Sequence, residues 1–141
     1  MYGKYAYGER HKYPHMYGRE KEVWTRFMAL NPGFFHTVDY DWRVGVGVIV
    51  PSGTEENIRR MAKMLSQKRI DVVGWNEEQP TIVEVKQRLG IQTLGQVLGY
   101  QLLFYREFPK IQKPKVMVVC EMGEKDDFDI LKAYKVPVYV V

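Results

Sequence analysis

The sequence contains very little cysteine, because Cys120 is the one cysteine among 141 residues. Intramolecular disulfides, cysteine-rich zinc modules and cysteine-held iron–sulfur clusters are therefore excluded. A chain without disulfides is typical of a reducing compartment, so we expect a cytoplasmic, intracellular protein. The sequence also lacks a run of 18 apolar residues and an apolar stretch of signal-peptide length near its start, so no membrane association is expected.

Several common catalytic motifs are missing as well. The segment Gly45-Val46-Gly47 lacks the third glycine and the following helix of a dinucleotide-binding loop, and no Walker lysine motif is present. Of the three histidines, His11 and His15 flank Pro14 in an irregular segment, which is a poor arrangement for a metal site. No serine or cysteine triad is suggested.

Length and charge are compatible with one small domain that has an anionic partner. At 141 residues the chain can bury a substantial core. Its 21 Lys and Arg residues outnumber its 17 Asp and Glu residues, which gives a net charge of +4. This excess is consistent with a nucleic-acid partner but does not require one.

The first 19 residues differ from the rest of the chain, since they hold five of the ten tyrosines and have no aliphatic periodicity. We divide the chain into an irregular, tyrosine-rich and basic arm (residues 1–19) and a single domain (residues 20–141). Two alternatives remain open for the arm. Its tyrosines and cations could contact bases and phosphates, or its rings could pack back onto the domain.

Hydrophobic periodicity predicts alternating helices and strands in the domain. Helices are predicted over residues 20–31, 54–67, 92–107 and 126–134. Strands are predicted over residues 38–50, 70–75, 81–86, 115–120 and 136–141, and the first of these is either one long strand bent at its glycines or a tight pair. The helix over 54–67 should bury Ile58, Met61, Ala62 and Leu65, and the helix over 92–107 should turn Leu94, Val97, Leu98, Leu102 and Tyr105 inward. This order predicts an α/β fold, with a mixed β-sheet flanked by helices on both faces.

Two short predicted strands carry a concentration of charged side chains. A hairpin between 70–75 and 81–86 would bring Asp71 close to Glu84 and Lys86. Glu84 and Lys86 are two residues apart, so they share one face of their strand, opposite Val83 and Val85. Two converging carboxylates form a hard-oxygen site suited to Mg²⁺ or Mn²⁺. An adjacent ammonium can orient a water or stabilise a phosphate, and this combination is suited to phosphodiester hydrolysis. The alternative is an ordinary cross-strand salt-bridge set.

These residues resemble the PD-(D/E)xK nuclease superfamily, with Asp71 as the Asp and Glu84-Val85-Lys86 as the (D/E)xK element. Within the superfamily, Gln96-Val97-Leu98-Gly99-Tyr100 is similar to the QxxxY element of the RecB-like branch. Glu20 stands where the first core helix of such nucleases often carries an acid. The resemblance covers residues 20–120 and implies a restriction-endonuclease-like core. The chain departs from the pattern at Ile70, which replaces proline, and in having the helix over 54–67 as an insertion.

The resemblance implies a metal-dependent DNA nuclease that cleaves phosphodiester bonds and serves DNA repair or recombination. Asp71, Glu84 and the Val85 carbonyl would hold Mg²⁺ or Mn²⁺, and Glu20 would contribute through a water molecule. Lys86 would orient the attacking water, while Gln96 and Tyr100 complete the catalytic set. With no second domain to read sequence, recognition of DNA structure or ends is expected.

DNA contacts are predicted for a set of basic residues together with the helix tyrosine, namely Arg59, Arg60, Lys63, Lys68, Arg69, Arg88 and Tyr100. One alternative function is a non-catalytic nucleic-acid-binding protein on the same fold. The size also suits a Holliday-junction-resolvase-like homodimer, or a small nuclease subunit that works beside a helicase or recombinase partner.

Overall fold

A computed structural model describes residues 2–141 of the chain as one six-stranded sheet and four α-helices. The strands are β1 (Tyr5–Ala6), β2 (Thr37–Val44), β3 (Lys68–Asn76), β4 (Gln79–Arg88), β5 (Lys115–Met122) and β6 (Val138–Val140). The helices are α1 (Gly18–Leu30), α2 (Glu56–Ser66), α3 (Gln92–Glu107) and α4 (Lys125–Ala133). None of the helices among residues 2–141 has the length and apolar character that crossing a membrane would require.

The strands follow one another across the sheet in chain order, β1-β2-β3-β4-β5-β6. Neighbours from β1 to β4 are antiparallel, while β4, β5 and β6 are parallel. The parallel connections need crossovers, which α3 and α4 supply. The predicted mixed sheet and α/β class are therefore confirmed.

Alternating side chains of the central strands build two cores, one on each sheet face. On one face, Val83 and Val85 of β4 pack with Trp24 and Phe27 of α1. On the other face, Ile82 packs with Phe104 of α3, and the same face continues to Leu131 of α4. Helices cover both faces of the sheet. A strand residue therefore packs against α1, or against α3 or α4, according to the face on which its side chain lies.

Strand β2 is shorter than the alternating pattern predicts. It ends at Val44, and Gly45 and Gly47 have φ angles of +88° and +75°, outside the β region. Val46 and Val48 are exposed rather than buried in a sheet. The valine alternation beyond Val44 therefore belongs to a loop, and the prediction of a strand reaching Val50 is wrong.

Helix α2 forms where an inserted helix is predicted, but it buries none of its side chains. Ile58, Met61 and Leu65, predicted to face inward, are 56%, 59% and 76% exposed. The loop after β2 instead packs on the polar side of α2, where a Cβ on Gly47 would come within 2.9 Å of the Lys63 carbonyl oxygen. The helix thus contacts the loop through Lys63 and Ser66, while Ile58, Met61 and Leu65 stay exposed.

The inward face of α3 also differs from the prediction. Thr93, Val97 and Phe104 are buried, whereas Leu102 and Tyr105 are 63% and 44% exposed. The true inward face is rotated from the predicted one toward the stripe that carries Gln96 and Tyr100. This rotation directs both of those side chains toward the sheet.

The N-terminal arm packs onto the domain, although most of it is irregular. Tyr13 and Met16 are buried in the core that α1 covers, and the Tyr2 ring stacks on Trp75 at 4.5 Å between centroids. Strand β1 adds the arm to the edge of the sheet beside β2. The packing alternative is thus confirmed for Tyr13, whereas Tyr17 stays 71% exposed.

Candidate active site

Strands β3 and β4 are paired near their turn and separate toward the other end. The turn is shorter than predicted, with Asn76 paired to Gln79, and the ladder continues to the pair Val72 and Val83. Asp71 and Glu84 would form the next pair, but the ladder stops before them. In its place Asp71 Oδ2 accepts a hydrogen bond from the Val85 backbone N–H at 3.0 Å. We call this opening, formed by Asp71 and residues 84–86, the fork.

The side-chain alternation of β3 breaks at the fork. Ile70 and Val73 both pack on the α3 side of the sheet, although an odd separation in a regular strand places residues on opposite faces. Val72 between them packs on the α1 side. The irregularity falls at Asp71, and it allows this carboxylate to turn toward β4 instead of following either sheet face.

Glu84 is buried in the fork, with only 3% of its surface exposed. Its Oε2 atom has no hydrogen-bond partner among the described residues. Burial, and then the closeness of Asp71, raise the pKa of Glu84 well above its usual range. A buried carboxylate oxygen without a partner is costly, so this geometry favours either a bound proton or a bound cation.

Lys86 and Glu20 lie within electrostatic range of the two fork carboxylates. Lys86 follows Glu84 by two residues in β4 and makes no ion pair within 4.0 Å in the described part of the chain. Glu20 lies in the first turn of α1. Its pKa is raised by burial and by Asp71, and lowered in part by Lys86. The acid of the first helix therefore belongs to the same cluster.

Tyr100 and Gln96 approach the cluster from α3. Burial raises the pKa of Tyr100 to about 12, with further contributions from the charges of Glu84 and Asp71, while contact with Gln96 lowers it in part. Gln96 Oε1 is buried without a hydrogen-bond partner among residues 2–141. Both side chains line a cavity of about 360 Å³ beside the fork, together with Lys68. The structure thus brings together all six residues predicted to be catalytic.

The donors at the fork fit a hard divalent cation. In residues 2–141 no three His, Cys, Asp or Glu side chains are arranged as a ready metal-binding group. Two carboxylates are nevertheless present, and the unpartnered Glu84 Oε2 is an unused oxygen donor. The Val85 N–H points toward β3. Since the N–H and carbonyl of one strand residue point the same way, the Val85 carbonyl also faces the fork. These oxygen donors suit Mg²⁺ or Mn²⁺.

Several of the predicted DNA-binding residues lie close to acidic side chains of the protein. Arg69 is already engaged, since its guanidinium donates to both carboxylate oxygens of Asp41 at 2.7 and 2.9 Å. Arg88 is exposed and lies 3.4 Å from Glu124. The three basic residues of α2 are exposed, and Arg59 and Arg60 both lie 4.0 Å from Glu56. Lys68 and Tyr100 line one cavity together with Gln96.

One charged group beside the fork was not expected from the sequence. Asp41 lies in β2 between two residues that pair with Val72 and Ile70, so it is level with Asp71. Arg69 links Asp41 to the arm, because the guanidinium also donates to His15 Nε2 at 2.6 Å. The sequence gives little indication of this contact, because His15 and Asp41 are far apart in the chain. Both residues also have positive φ angles of 54°.

No family model matches the chain, and neither the curated proteins nor the solved structures include a match.

Proposed function

We propose that this protein is a metal-dependent deoxyribonuclease that hydrolyses phosphodiester bonds at the fork between β3 and β4. The observation that supports the proposal best is the buried, unpartnered Glu84 oxygen beside Asp71. A buried carboxylate beside a second carboxylate weakens the fold unless a proton or a cation offsets the desolvation and the repulsion. Such an arrangement is typical of a functional site rather than of a structural salt bridge.

Each residue of the cluster has a role in this proposal. Asp71, Glu84 and the Val85 carbonyl hold the divalent ion, and Glu20 reaches it through water. When bound, the ion supplies charge stabilisation for the phosphoryl oxygens and acidifies a water molecule. Lys86 has no ion-pair partner within 4.0 Å among residues 2–141, so its ammonium is available to orient the attacking water.

Gln96 and Tyr100 position the substrate phosphate from the α3 side. The hydroxyl of Tyr100 is protonated at neutral pH, as in an ordinary tyrosine, so it can donate a hydrogen bond to the phosphate. Gln96 has an amide that can both donate and accept.

Cleavage of defined DNA substrates by the purified protein tests the proposal. Single-stranded, duplex, flap and four-way DNA are each incubated with Mg²⁺, Mn²⁺ or EDTA, and products are resolved on a denaturing gel. We expect cleavage that requires the divalent ion and is abolished in Lys86→Ala and Asp71→Asn variants. Metal-independent cleavage, or equal cleavage by these variants, would contradict the proposal. Tight DNA binding without cleavage under every condition would favour the non-catalytic alternative.

A further inference from the structure

A second cavity lies between the N-terminal arm and the start of α1. Its volume is about 600 Å³, which is in the range of small-molecule sites. Four basic side chains and three tyrosines line it, and no acidic residue does. The basic residues are Arg10, Lys12, His15 and Lys21, and the tyrosines are Tyr5, Tyr13 and Tyr17. We call it the arm pocket.

Three of the four basic residues of the arm pocket have no acidic partner among the described residues, whereas His15 lies 3.8 Å from Asp41. Within residues 2–141, Arg10, Lys12 and Lys21 make no ion pair within 4.0 Å. The Arg10 guanidinium lies over the Tyr5 ring, 4.4 Å from its centroid, and the Lys21 ammonium donates to the His11 carbonyl. Both groups keep further N–H donors for an anion.

The arm holds this pocket in place through its buried residues. Tyr13 is 2% exposed, and its hydroxyl is hydrogen-bonded to Thr25 of α1 at 2.8 Å. Tyr13 and Met16 bridge the ends of a tight turn around His15. The cations are therefore presented from an anchored segment, which reduces the entropy cost of binding a ligand.

Two connections join the arm pocket to the fork. Gly18 and Lys21 line the pocket, and Glu20 lies between them in the first turn of α1. His15 contacts Arg69, which pairs with Asp41 at the level of Asp71. A chain of phosphates that passes the metal ligands can thus extend to the arm pocket.

We propose that the arm pocket binds one nucleotide of the substrate strand beside the cleaved bond. Its phosphate lies against Arg10, Lys12 and Lys21, and its base stacks on Tyr17, whose side chain is 71% exposed. This proposal rests on the proposed function, since it assigns where the nuclease holds its substrate.

Binding of fluorescent oligothymidylate to the intact protein tests the proposal without cleavage, in EDTA and in Ca²⁺. The main variant is Arg10→Ala with Lys12→Ala. The matched control is Lys110→Ala with Lys113→Ala, which removes equal charge from exposed sites before β5, at the opposite end of the sheet. We expect the arm variant to bind about tenfold more weakly or worse, because it removes charged hydrogen bonds. Its salt slope should fall by about 0.7 for each phosphate that is no longer neutralised. The control should bind like wild type.

Substitutions of Tyr17 provide a second test, in which the change in binding does not come from a change in charge. Tyr17→Ala should weaken binding, while Tyr17→Phe should restore it, because stacking needs the ring and not the hydroxyl. Binding of 5′-phosphorylated, 3′-phosphorylated and circular strands is also compared, which distinguishes recognition of a terminal phosphate from recognition of an internal one. The proposal requires that binding of at least one of these strands depends on Arg10 and Lys12. Equal weakening in the arm and control variants would overturn it.

The two proposals fail in different ways. If wild type and the arm variant bind and cleave equally, the arm pocket is not a substrate site while the nuclease proposal stands. If no substrate is cleaved but binding still depends on Arg10 and Lys12, the nuclease proposal fails, and the arm pocket is a nucleotide-binding site of a non-catalytic protein rather than a site beside a cleaved bond.

Discussion

Strand β4 and helix α2 both carry apolar side chains in a regular period, yet only those of β4 are buried. Ile82, Val83 and Val85 lie at 0–1% exposure between the two helical layers. Ile58, Met61 and Leu65 of α2 are all more than half exposed. The difference shows that the period of apolar residues identifies the type of element. Whether those apolar side chains are buried depends on whether a neighbouring element covers them.

The largest effect is expected at the fork, where Glu84→Gln keeps the shape but removes the charge. In the proposed mechanism the metal site would contribute several kcal/mol to transition-state stabilisation, so cleavage should fall by about 10³-fold. Thermal stability should stay equal or rise, because a buried carboxylate next to Asp71 is removed. Gel assays and thermal melts measure both quantities.

Glu78→Gln is the matched control, since Glu78 is exposed at the hairpin turn, at the other end of β4. It should cleave like wild type. Full activity in Glu84→Gln would show that the fork is structural and not catalytic.

A matched pair of isoleucines tests the comparison between β4 and α2 directly. Ile82→Ala should reduce the free energy of unfolding by about 2–5 kcal/mol, since it leaves a cavity in the core. Ile58→Ala should change it by about 0.5 kcal/mol or less, as for an exposed side chain. Urea unfolding of the two variants measures these differences. Equal destabilisation would mean that the apolar side of α2 is covered in solution.

Divalent ions should stabilise the fold through the fork and not elsewhere. Saturating Mg²⁺ at about 100 times its Kd adds about 2.7 kcal/mol, which raises the Tm by roughly 5–10 °C. The rise should disappear in EDTA and in the Glu84→Gln variant, and K⁺ at equal ionic strength should not reproduce it. A Tm that Mg²⁺ leaves unchanged in wild type would argue against a metal site at the fork.

The smallest effect is expected from the basic side of α2. Replacing Arg59, Arg60 and Lys63 with alanine should lower the salt slope of duplex binding by up to about 0.9 for each phosphate that is no longer neutralised. Cleavage at saturating DNA should change little, because such contacts bind substrate and transition state alike. Binding titrations at several salt concentrations measure the slope, and an unchanged slope would place α2 away from DNA.

The sequence predicts the elements of the fold better than their surroundings. The apolar period of β4 places Glu84 and Lys86 on one face correctly, because buried residues on both sides of the sheet enforce the alternation. The valines after Val44 follow the same period, but the positive φ angles of Gly45 and Gly47 prevent a strand. A period of two cannot reveal where the backbone leaves the β region.

The candidate site was also predicted in part. The spacing of Glu84, Lys86, Gln96 and Tyr100 locates these residues on neighbouring elements, and the structure places them around one opening. The separation of β3 and β4 at Asp71 was not predictable, because it depends on a local break in alternation. The arm pocket was not predictable either, since it is built by tertiary contacts of Tyr13 and Met16 with the core.

The attachment of α2 has a consequence for local opening. Two hydrogen bonds join its C-terminal end to the preceding loop, from Val48 N–H to Ser66 Oγ and from Gln67 Nε2 to the Gly45 carbonyl, both at 2.7 Å. No buried side chain of α2 adds to them. The helix can therefore unwind without disturbing the sheet, and its amides should exchange with deuterium far faster than those of β4. We therefore expect a slowly exchanging sheet and an inserted helix that opens independently.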